Sequence, residues 1–343
     1  MKKILVTGGL GYIGSHTAVE LISDGYEVVI IDDLSNTQET VLDRIEDITG
    51  VRPSFYPYDL KEKDFVSAVF AAHKIDGVIH FAAYKSVGES QQIPLDYYEN
   101  NLYSLINLLQ EMKKQNVSNF IFSSSCTVYG QADNMPIDEK TPLKTPESSY
   151  GKTKQMGEDI IRDFVLSHQK KATLLRYFNP VGAHPSALLG EMPRGIPNNL
   201  IPYVVQTAAG VLERLNIWGN DYPTEDGTAI RDYIYVVDLA KAHIAALNKL
   251  ISSEKETILD VYNLGTGKGT SVLEIIESFE KINAIKVPYR IGKRRDGDIT
   301  IAYADATKAA EELNWRASTP IEESLRTAWN WQLSSTLVEN TEF

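Results

Sequence analysis

Tyr150 and Lys154 stand four residues apart in the stretch Tyr150-Gly151-Lys152-Thr153-Lys154, at the head of a helical pattern that runs on through Met156, Ile160, Ile161 and Phe164. That spacing puts the phenol and the amine on one helix face, a turn apart. A free tyrosine, with a pKa of about 10, is a poor base at neutral pH. A neighbouring ammonium favours the phenolate and lowers that value, and each unit of lowering is worth about 1.4 kcal/mol. The pair is therefore a candidate proton-transfer device. Y-x-x-x-K alone occurs on many surface helices, so its meaning rests on the elements that would position it.

Those elements begin at the N-terminus. Lys3 to Thr7 reads as a short buried strand, with Ile4, Leu5 and Val6 contiguous. Gly8-Gly9-Leu10-Gly11-Tyr12-Ile13-Gly14 follows, and then a helical pattern through Ala18, Val19, Leu21 and Ile22. Glycines at a strand-to-helix turn permit close approach of the backbone to a pyrophosphate, seated on the helix N-terminus. Gly8, Gly11, Tyr12, Ile13 and Gly14 are the candidate cradle. Glu27 to Ile31 forms the next strand, and Asp32 ends it at the separation expected for a carboxylate that binds the adenosine ribose, which favours NAD over NADP.

Strands and helices then alternate. Ser54 to Tyr58 is a strand, and Asp59 at its end could reach the adenine or serve as a turn residue. Asp64 to His73 is helical. Val78 to Ala83 is a strand running into a small-residue turn, with Lys85 just beyond. A helix starts near Pro94 and carries Leu95, Tyr98, Leu102, Leu105, Leu109 and Met112 at helical spacing. Phe120 to Phe122 is a strand ending in Ser123-Ser124-Ser125, and Ala172 to Tyr177 follows the helix of Tyr150. This alternation predicts an α/β fold with a Rossmann-type, doubly wound parallel sheet, whose ligands bind at the carboxyl ends of the strands. The glycine turn, Asp32, Asp59, Ala82 to Lys85 and Ser123 to Ser125 all fall at such ends.

Past residue 180 proline, glycine and asparagine thicken, and periodic runs are few until Ile201 to Ala209, Val237 to Leu250 and Ser271 to Ile282. Short strands are expected at Leu215 to Trp218, Val261 to Leu264 and Val287 to Arg290. The predicted organisation is a cofactor-binding domain over residues 1–180 and a smaller mixed α/β lobe over 181–343 that binds substrate. Segments near 231–237 and 261–265 are placed to rejoin the main sheet.

Composition bounds the rest. The chain has 343 residues and a formal net charge of −12, which argues against a general nucleic-acid surface. The single cysteine, Cys126, leaves no intrachain disulfide framework and points to a reducing compartment such as the cytoplasm. No apolar run is long enough to span a membrane, and the first residues read as strand rather than signal peptide. The six histidines are scattered without zinc-type spacing, so no metal is expected.

Thr7 to Gly14, Ser123 to Ser125 and Tyr150 to Lys154 together resemble the extended short-chain dehydrogenase/reductase family. Within it, Phe81 to Ser90, Leu175 to Pro185, Gly195 to Leu200, Gly219 to Thr224, Arg231 to Ile234 and Tyr262 to Gly267 are similar to the UDP-glucose 4-epimerases. The resemblance runs from residue 3 to about residue 316 and leaves the last stretch without signal. It implies that Tyr150 takes the proton from the sugar 4-hydroxyl, that Ser125 shares that hydrogen bond, and that Lys154 binds the nicotinamide ribose and keeps Tyr150 acidic. A hydride would pass from C4 to tightly held NAD, the 4-keto sugar would turn over in the pocket, and the hydride would return to its opposite face. The resemblance adds Asp33, Leu34, Ser35, Asn36, Thr37, Leu60, Phe81, Ala82, Ala83, Tyr84, Lys85, Asn100 and Phe178 to the cofactor site. It assigns Asn179, Asn199, Leu200, Arg231, Tyr233, Arg295 and Asp298 to the nucleotide diphosphate, with Gly297 part of the same pattern and Lys85 also at the substrate. Trp218 could pack against uracil or be an ordinary core tryptophan. Two arginines can neutralise a pyrophosphate bidentately.

Ala302 occupies the position that in the family walls the sugar pocket. A small residue there implies that N-acetylated UDP-hexoses enter as well as plain ones, unless Tyr303 swings in to close the gap. A dehydratase of the same fold carries an Asp-Glu pair where this chain has Ser125-Cys126, and a non-catalytic NAD(H) sensor would tend to lose Ser125, Tyr150 or Lys154. The family pairs the helices starting at Pro94 and Tyr150 into a four-helix interface, so the expected assembly is a homodimer.

Overall fold

Seven parallel strands form the main sheet in the computed structural model, which describes residues 1–295 and 298–339, with side chains of the last helix given through Ser335. Gly297 therefore lies outside the described residues. In chain order the first six are β1 (Lys3–Thr7), β2 (Glu27–Ile31), β3 (Ser54–Tyr56), β4 (Gly77–His80), β5 (Asn119–Ser123) and β6 (Lys171–Tyr177). Short strands β7 (Asn179–Val181), β8 (Leu215–Trp218), β9 (Ile230–Arg231) and β10 (Tyr233–Tyr235) precede the seventh, β11 (Ile258–Leu264). The order across the sheet is β3-β2-β1-β4-β5-β6-β11. Strand order reverses between β1 and β4, which opens a crevice beyond their carboxyl ends.

Alternation along each strand serves two faces. Ile4 and Val6 of β1 pack with Val28 and Ile30 against the helices Tyr12–Ser23, Thr40–Thr49 and Val236–Ser252. Leu5, Val29, Ile31 and Val78 face the other way, onto Lys63–Ala72, Ser104–Lys114 and Ser149–His168. Because helices cover both faces, the strands read as unbroken apolar runs.

The helix expected from Pro94 is one helical run with a π-helical turn over Glu99–Tyr103, between Pro94–Tyr98 and Ser104–Lys114. Such turns often mark functional positions. A second core gathers Ile201, Val204, Leu215, Ile217, Ile275, Phe279, Leu325 and Trp329. Around it lie β8 paired with β13 (Tyr289–Gly292), and β9 flanked by β12 (Thr270–Ser271) and β14 (Ile301–Ala302). The strand expected at Val287 to Arg290 thus starts two residues later, because Val287 is drawn into this core. The helix Ile321–Glu339, where the sequence carried no usable signal, supplies Leu325, Ala328 and Trp329 to it. β11 pairs with β6, so the segment near 261–265 rejoins the main sheet as expected, whereas β10 pairs with β7 in a separate two-stranded sheet, so the segment near 231–237 does not. Among the described residues no helix is long and apolar enough to cross a membrane.

Candidate active site

The glycine turn is built by exclusion. Gly8 has φ +67°, and a Cβ on it would lie 2.7 Å from the Ala82 nitrogen, so the turn after β1 rests directly on the turn after β4. A Cβ on Gly14 would lie 2.1 Å from the Gly8 carbonyl oxygen. The helix Tyr12–Ser23 starts from Gly11 without a side-chain cap. Its first N–H groups are thus free of side-chain acceptors, and they carry the positive end of the helix dipole, a fit for an anionic diphosphate. Ile13 packs its side chain against the cores below, and the Tyr12 hydroxyl donates to the Gly182 carbonyl at 2.6 Å. Only the backbone of these two residues serves the turn.

Asp32, buried at the end of β2, accepts from the Leu10 and Leu34 N–H groups, both at 3.0 Å. Burial pushes its carboxyl up to about 6 against the pull of those donors. Exposed Asp33 accepts from the Ser35 N–H and hydroxyl, at 2.9 and 2.6 Å. Leu34 takes a left-handed conformation, φ +59°. Thr37 closes the loop by donating to the Leu10 carbonyl at 2.7 Å, and Asn36 beside it is exposed. Arg194, which no sequence pattern singled out, donates to the carbonyls of Leu34 and Thr37 at 3.1 and 2.9 Å. Asp59 accepts from the Lys61 N–H at 2.8 Å and pairs with its amine at 3.4 Å, which is turn-residue behaviour. Leu60 is buried beside it, its carbonyl receiving the Asn107 amide.

After β4, Phe81 and Ala82 donate their N–H groups to the Thr7 carbonyl at 3.0 and 3.2 Å, and Ala83 follows half-buried. Asn101 then ties three elements together. Its amide accepts from the Tyr84 N–H at 2.8 Å and donates to the Tyr84 carbonyl and to the Thr153 hydroxyl, both at 3.0 Å. Asn100 donates to it at 3.1 Å, and both sit in the π-helical turn. Asn101 was not foreseen, since only the folded chain brings Tyr84 and Thr153 to it. Lys85 pairs with Glu191 at 3.1 Å, and the same carboxylate accepts from Asn199 at 2.7 Å.

The end of β5 lies under the helix Ser149–His168, whose first turn is capped by Ser148 accepting from Gly151 at 3.1 Å. Lys154 donates to the Ser123 carbonyl at 2.8 Å and lies 5.9 Å from the centre of the Tyr150 ring. Ser125 accepts from the Thr127 N–H and hydroxyl at 3.2 and 3.0 Å, and its side chain, near the Tyr150 phenol, pulls that group's pKa down. Burial outweighs that pull and holds Tyr150 well above the ordinary phenol value. The sequence expectation had the opposite sign. Burial is a tertiary effect, and the same burial pushes Lys154 down to about 8. Tyr177 bonds Ser123 through its hydroxyl at 2.8 Å and stands beside Tyr150. Buried Phe178 donates its N–H to Leu264 at 3.0 Å and packs with Val128, Tyr129, Ile137 and Ala302.

Facing this end of the sheet is a cationic cluster of the second lobe. Arg231 pairs with Asp298 at 2.6 Å, and Asp298 accepts from the Tyr222 hydroxyl at 3.1 Å. Arg231 is close enough to Cys126 to act on its thiol, which joins the cluster to the residue after Ser125. Arg295 lies 5.0 Å over the Trp218 ring. Trp218 is 38% exposed, so it is not a core tryptophan. Arg294 covers Tyr222 at 4.0 Å and pairs with Asp221 at 2.7 Å. Gly219, Asn220, Asp221, Gly292, Lys293 and Arg294 line an open cavity of about 780 Å³. Asn179 donates its N–H to Asp232 at 2.9 Å, Tyr233 is buried in the second core, and Leu200 opens the helix that follows Asn199.

Residues 5–328 match the family described as GDP-mannose 4,6 dehydratase. A UDP-glucose 4-epimerase from Bacillus subtilis (strain 168) is 52% identical over 333 residues, covering 97% of each chain. The chain belongs to the UDP-glucose 4-epimerase family. The crystal structure of the UDP-glucose 4-epimerase from Bifidobacterium longum in complex with NAD+ and UDP is similar at a TM-score of 0.94 and 48% identity, over 98% of this chain and 99% of that one. The enzyme from Stenotrophomonas maltophila, with bound NAD and formylated UDP-arabinopyranose, gives a TM-score of 0.95 at 46% identity, over 98% and 100%. The Rossmann-type sheet with a smaller second lobe is the architecture of this family, and its members are NAD-dependent isomerases.

Proposed function

We propose that this protein interconverts UDP-glucose and UDP-galactose by inverting C4, and that residues 1–180 chiefly hold NAD while 181–343 chiefly hold the UDP-sugar. The observation that carries this reading is the convergence of Ser125, Tyr150 and Lys154 at the end of β5, opposite Arg231, Arg295 and Trp218. The uncapped glycine turn and the helix N-terminus would hold the diphosphate of NAD, Asp32 would hold the adenosine ribose, and Lys154 would hold the nicotinamide ribose. Bound NAD supplies a reversible hydride acceptor for C4. Tyr150 takes the proton of the 4-hydroxyl while Ser125 holds that oxygen, and the Lys154 ammonium stabilises the phenolate that burial opposes. Arg231 and Arg295 hold the diphosphate, and Trp218 offers its exposed face to uracil. The firm nucleotide end and the apolar wall of Phe178 and Ala302 leave the sugar ring free to turn. UDP-galactose should be converted by purified protein with no added NAD; no turnover, with NAD bound, would sink the reading.

The dehydratase chemistry named for the wider family is disfavoured. Ser125 and Cys126 stand where its acid pair belongs, and burial pushes the Cys126 thiol up to about 12.

Asp32 makes cofactor retention pH-dependent. Ribose hydroxyls donate best to the ionised carboxylate, so bound NAD favours that form and its affinity falls as pH drops through about 6. The raised value also means that the cofactor-free chain gains stability at acid pH and loses that contribution as pH rises through about 6. Dialysis at pH 5 should strip more NAD than dialysis at pH 7.5, and Asp32→Asn should flatten the difference. Equal retention by the parent protein would contradict this role.

Ala302 supports a wider substrate range. It is buried against Phe178 and adjoins Arg231 in the β9–β14 pairing. The Tyr303 ring points to the other face of the strand, against Gly269. UDP-N-acetylgalactosamine should therefore be epimerised too, and Ala302→Tyr should cut that activity at least tenfold while sparing UDP-galactose, on the scale expected of a blocked pocket. Equal loss of both activities would count against the open wall.

Exposed Ile93, Leu95, Tyr103, Met156 and Leu166 lie on the helical run from Pro94, at its entry, and on the helix of Tyr150. Leu95 is 78% exposed, and such a set suits a symmetric partner. Light scattering should give twice the mass of one chain; a monomer would contradict a homodimer.

A further inference from the structure

Glu158 lies four residues beyond Lys154 on the helix Ser149–His168 and is buried. Its carboxylate takes both arms of buried Arg176 on β6, Nε to Oε1 at 2.9 Å and Nη2 to Oε2 at 2.6 Å. Oε1 also accepts from the Ser124 hydroxyl at 2.6 Å. Arg176 continues to the Tyr129 hydroxyl at 3.0 Å, and that hydroxyl donates to Asn263 at 2.7 Å. One carboxylate thus clamps the catalytic helix, β6 and the end of β5.

The clamp closes on the catalytic groups from below. Ser124 stands between Ser123, whose carbonyl accepts from Lys154, and Ser125, whose side chain lies near enough to Tyr150 to act on its phenol. A buried ion pair is often no more stabilising than apolar residues of the same volume, so stability alone is a weak reason for this one. We infer that Glu158 is a positioning residue for proton transfer at Tyr150: through Ser124 it fixes the strand end that seats Lys154 and Ser125, and it sets a carboxylate one helical turn beyond Lys154. The inference rests on the epimerase reading.

The electrostatics agree. Burial lowers Lys154 to about 8, and Glu158 is the charge that opposes the fall. The other groups facing this region do not replace it. His80 on β4 is pushed down to about 3 by burial and by Lys154, so it stays neutral. Burial opposes the charged forms of Tyr150, Tyr177 and Cys126, so none of them supplies a standing negative charge in Glu158's place, and Arg176 carries the wrong sign.

The test compares the parent, Glu158→Gln and Ser124→Ala, measuring kcat and KM for UDP-galactose from about pH 6 to about pH 10 with bound NAD quantified in each. Glu158→Gln should lower kcat about tenfold or more at an unchanged KM, and should move the alkaline limb of kcat at least about one unit toward lower pH, because Lys154 loses its proton sooner. Ser124→Ala keeps the charge, so it should lower kcat several-fold and leave that limb in place. Parent-like kcat and alkaline limb in folded Glu158→Gln would overturn the inference, and so would a loss confined to KM or to NAD content. If Glu158→Gln does not fold, Ser124→Ala decides: parent-like kcat overturns the inference, and a kcat loss at unchanged KM supports it. A parent with no turnover of UDP-galactose would instead fail the epimerase reading before any variant is compared.

Discussion

Tyr150→Phe should lower kcat by about 10³-fold or more while NAD stays bound at the parent stoichiometry. Positioned proton transfer contributes about 10²–10⁴-fold, and the substitution removes the proton acceptor itself. The ring remains, so packing beside Tyr177 is little changed. The glycine turn and Asp32 lie on other elements, so cofactor binding should survive. Steady-state kinetics with acid-released NAD checks both halves. A variant with more than about a tenth of parent activity would mean that another group takes the proton, and half-buried Tyr177 would be the next candidate.

Gly14→Ala should cost the protein its NAD. The added methyl would sit 2.1 Å from the Gly8 carbonyl oxygen and 2.9 Å from the Gly9 Cα, both backbone atoms. No side chain can swing aside, so the turn must open, and overpacking of this kind costs about 1–3 kcal/mol or more. The Gly8 carbonyl also accepts the Gly11 N–H at 3.1 Å, so the whole cradle shifts. Purified variant should carry less than about a tenth of the parent's NAD, with a similar fall in activity and a lower Tm. Full NAD content would mean that the turn is not where the diphosphate rests.

The sheet and its crevice were legible because they rest on local signals. Contiguous apolar runs mark buried strands, and a glycine turn between strand and helix marks a diphosphate seat. Tyr150 and Lys154 were legible for the same reason, since helical spacing alone sets them on one face. What the sequence hid is the product of long-range contact. Nothing near Glu158 announces that it meets Arg176 and Ser124, and nothing near Asn101 announces Tyr84 and Thr153. Arg194 reaches the loop after Asp32 across a separation of about 160 residues. The direction of the Tyr150 shift failed because spacing reports a neighbouring charge and says nothing of desolvation. Trp218 could not be assigned from its type, since exposure alone separates a core tryptophan from a stacking surface. The two-residue strands β9, β12 and β14 carry no period to read.

The central claim is that one carbon is oxidised and re-reduced inside one closed site. The most direct test is to feed UDP-galactose carrying deuterium at C4 in ordinary water and to weigh the UDP-glucose formed. The account predicts that the label stays at C4, because the hydride that leaves is the one that returns. Loss of the deuterium to solvent would contradict it, since the proton at C4 would then come from water and not from the bound cofactor.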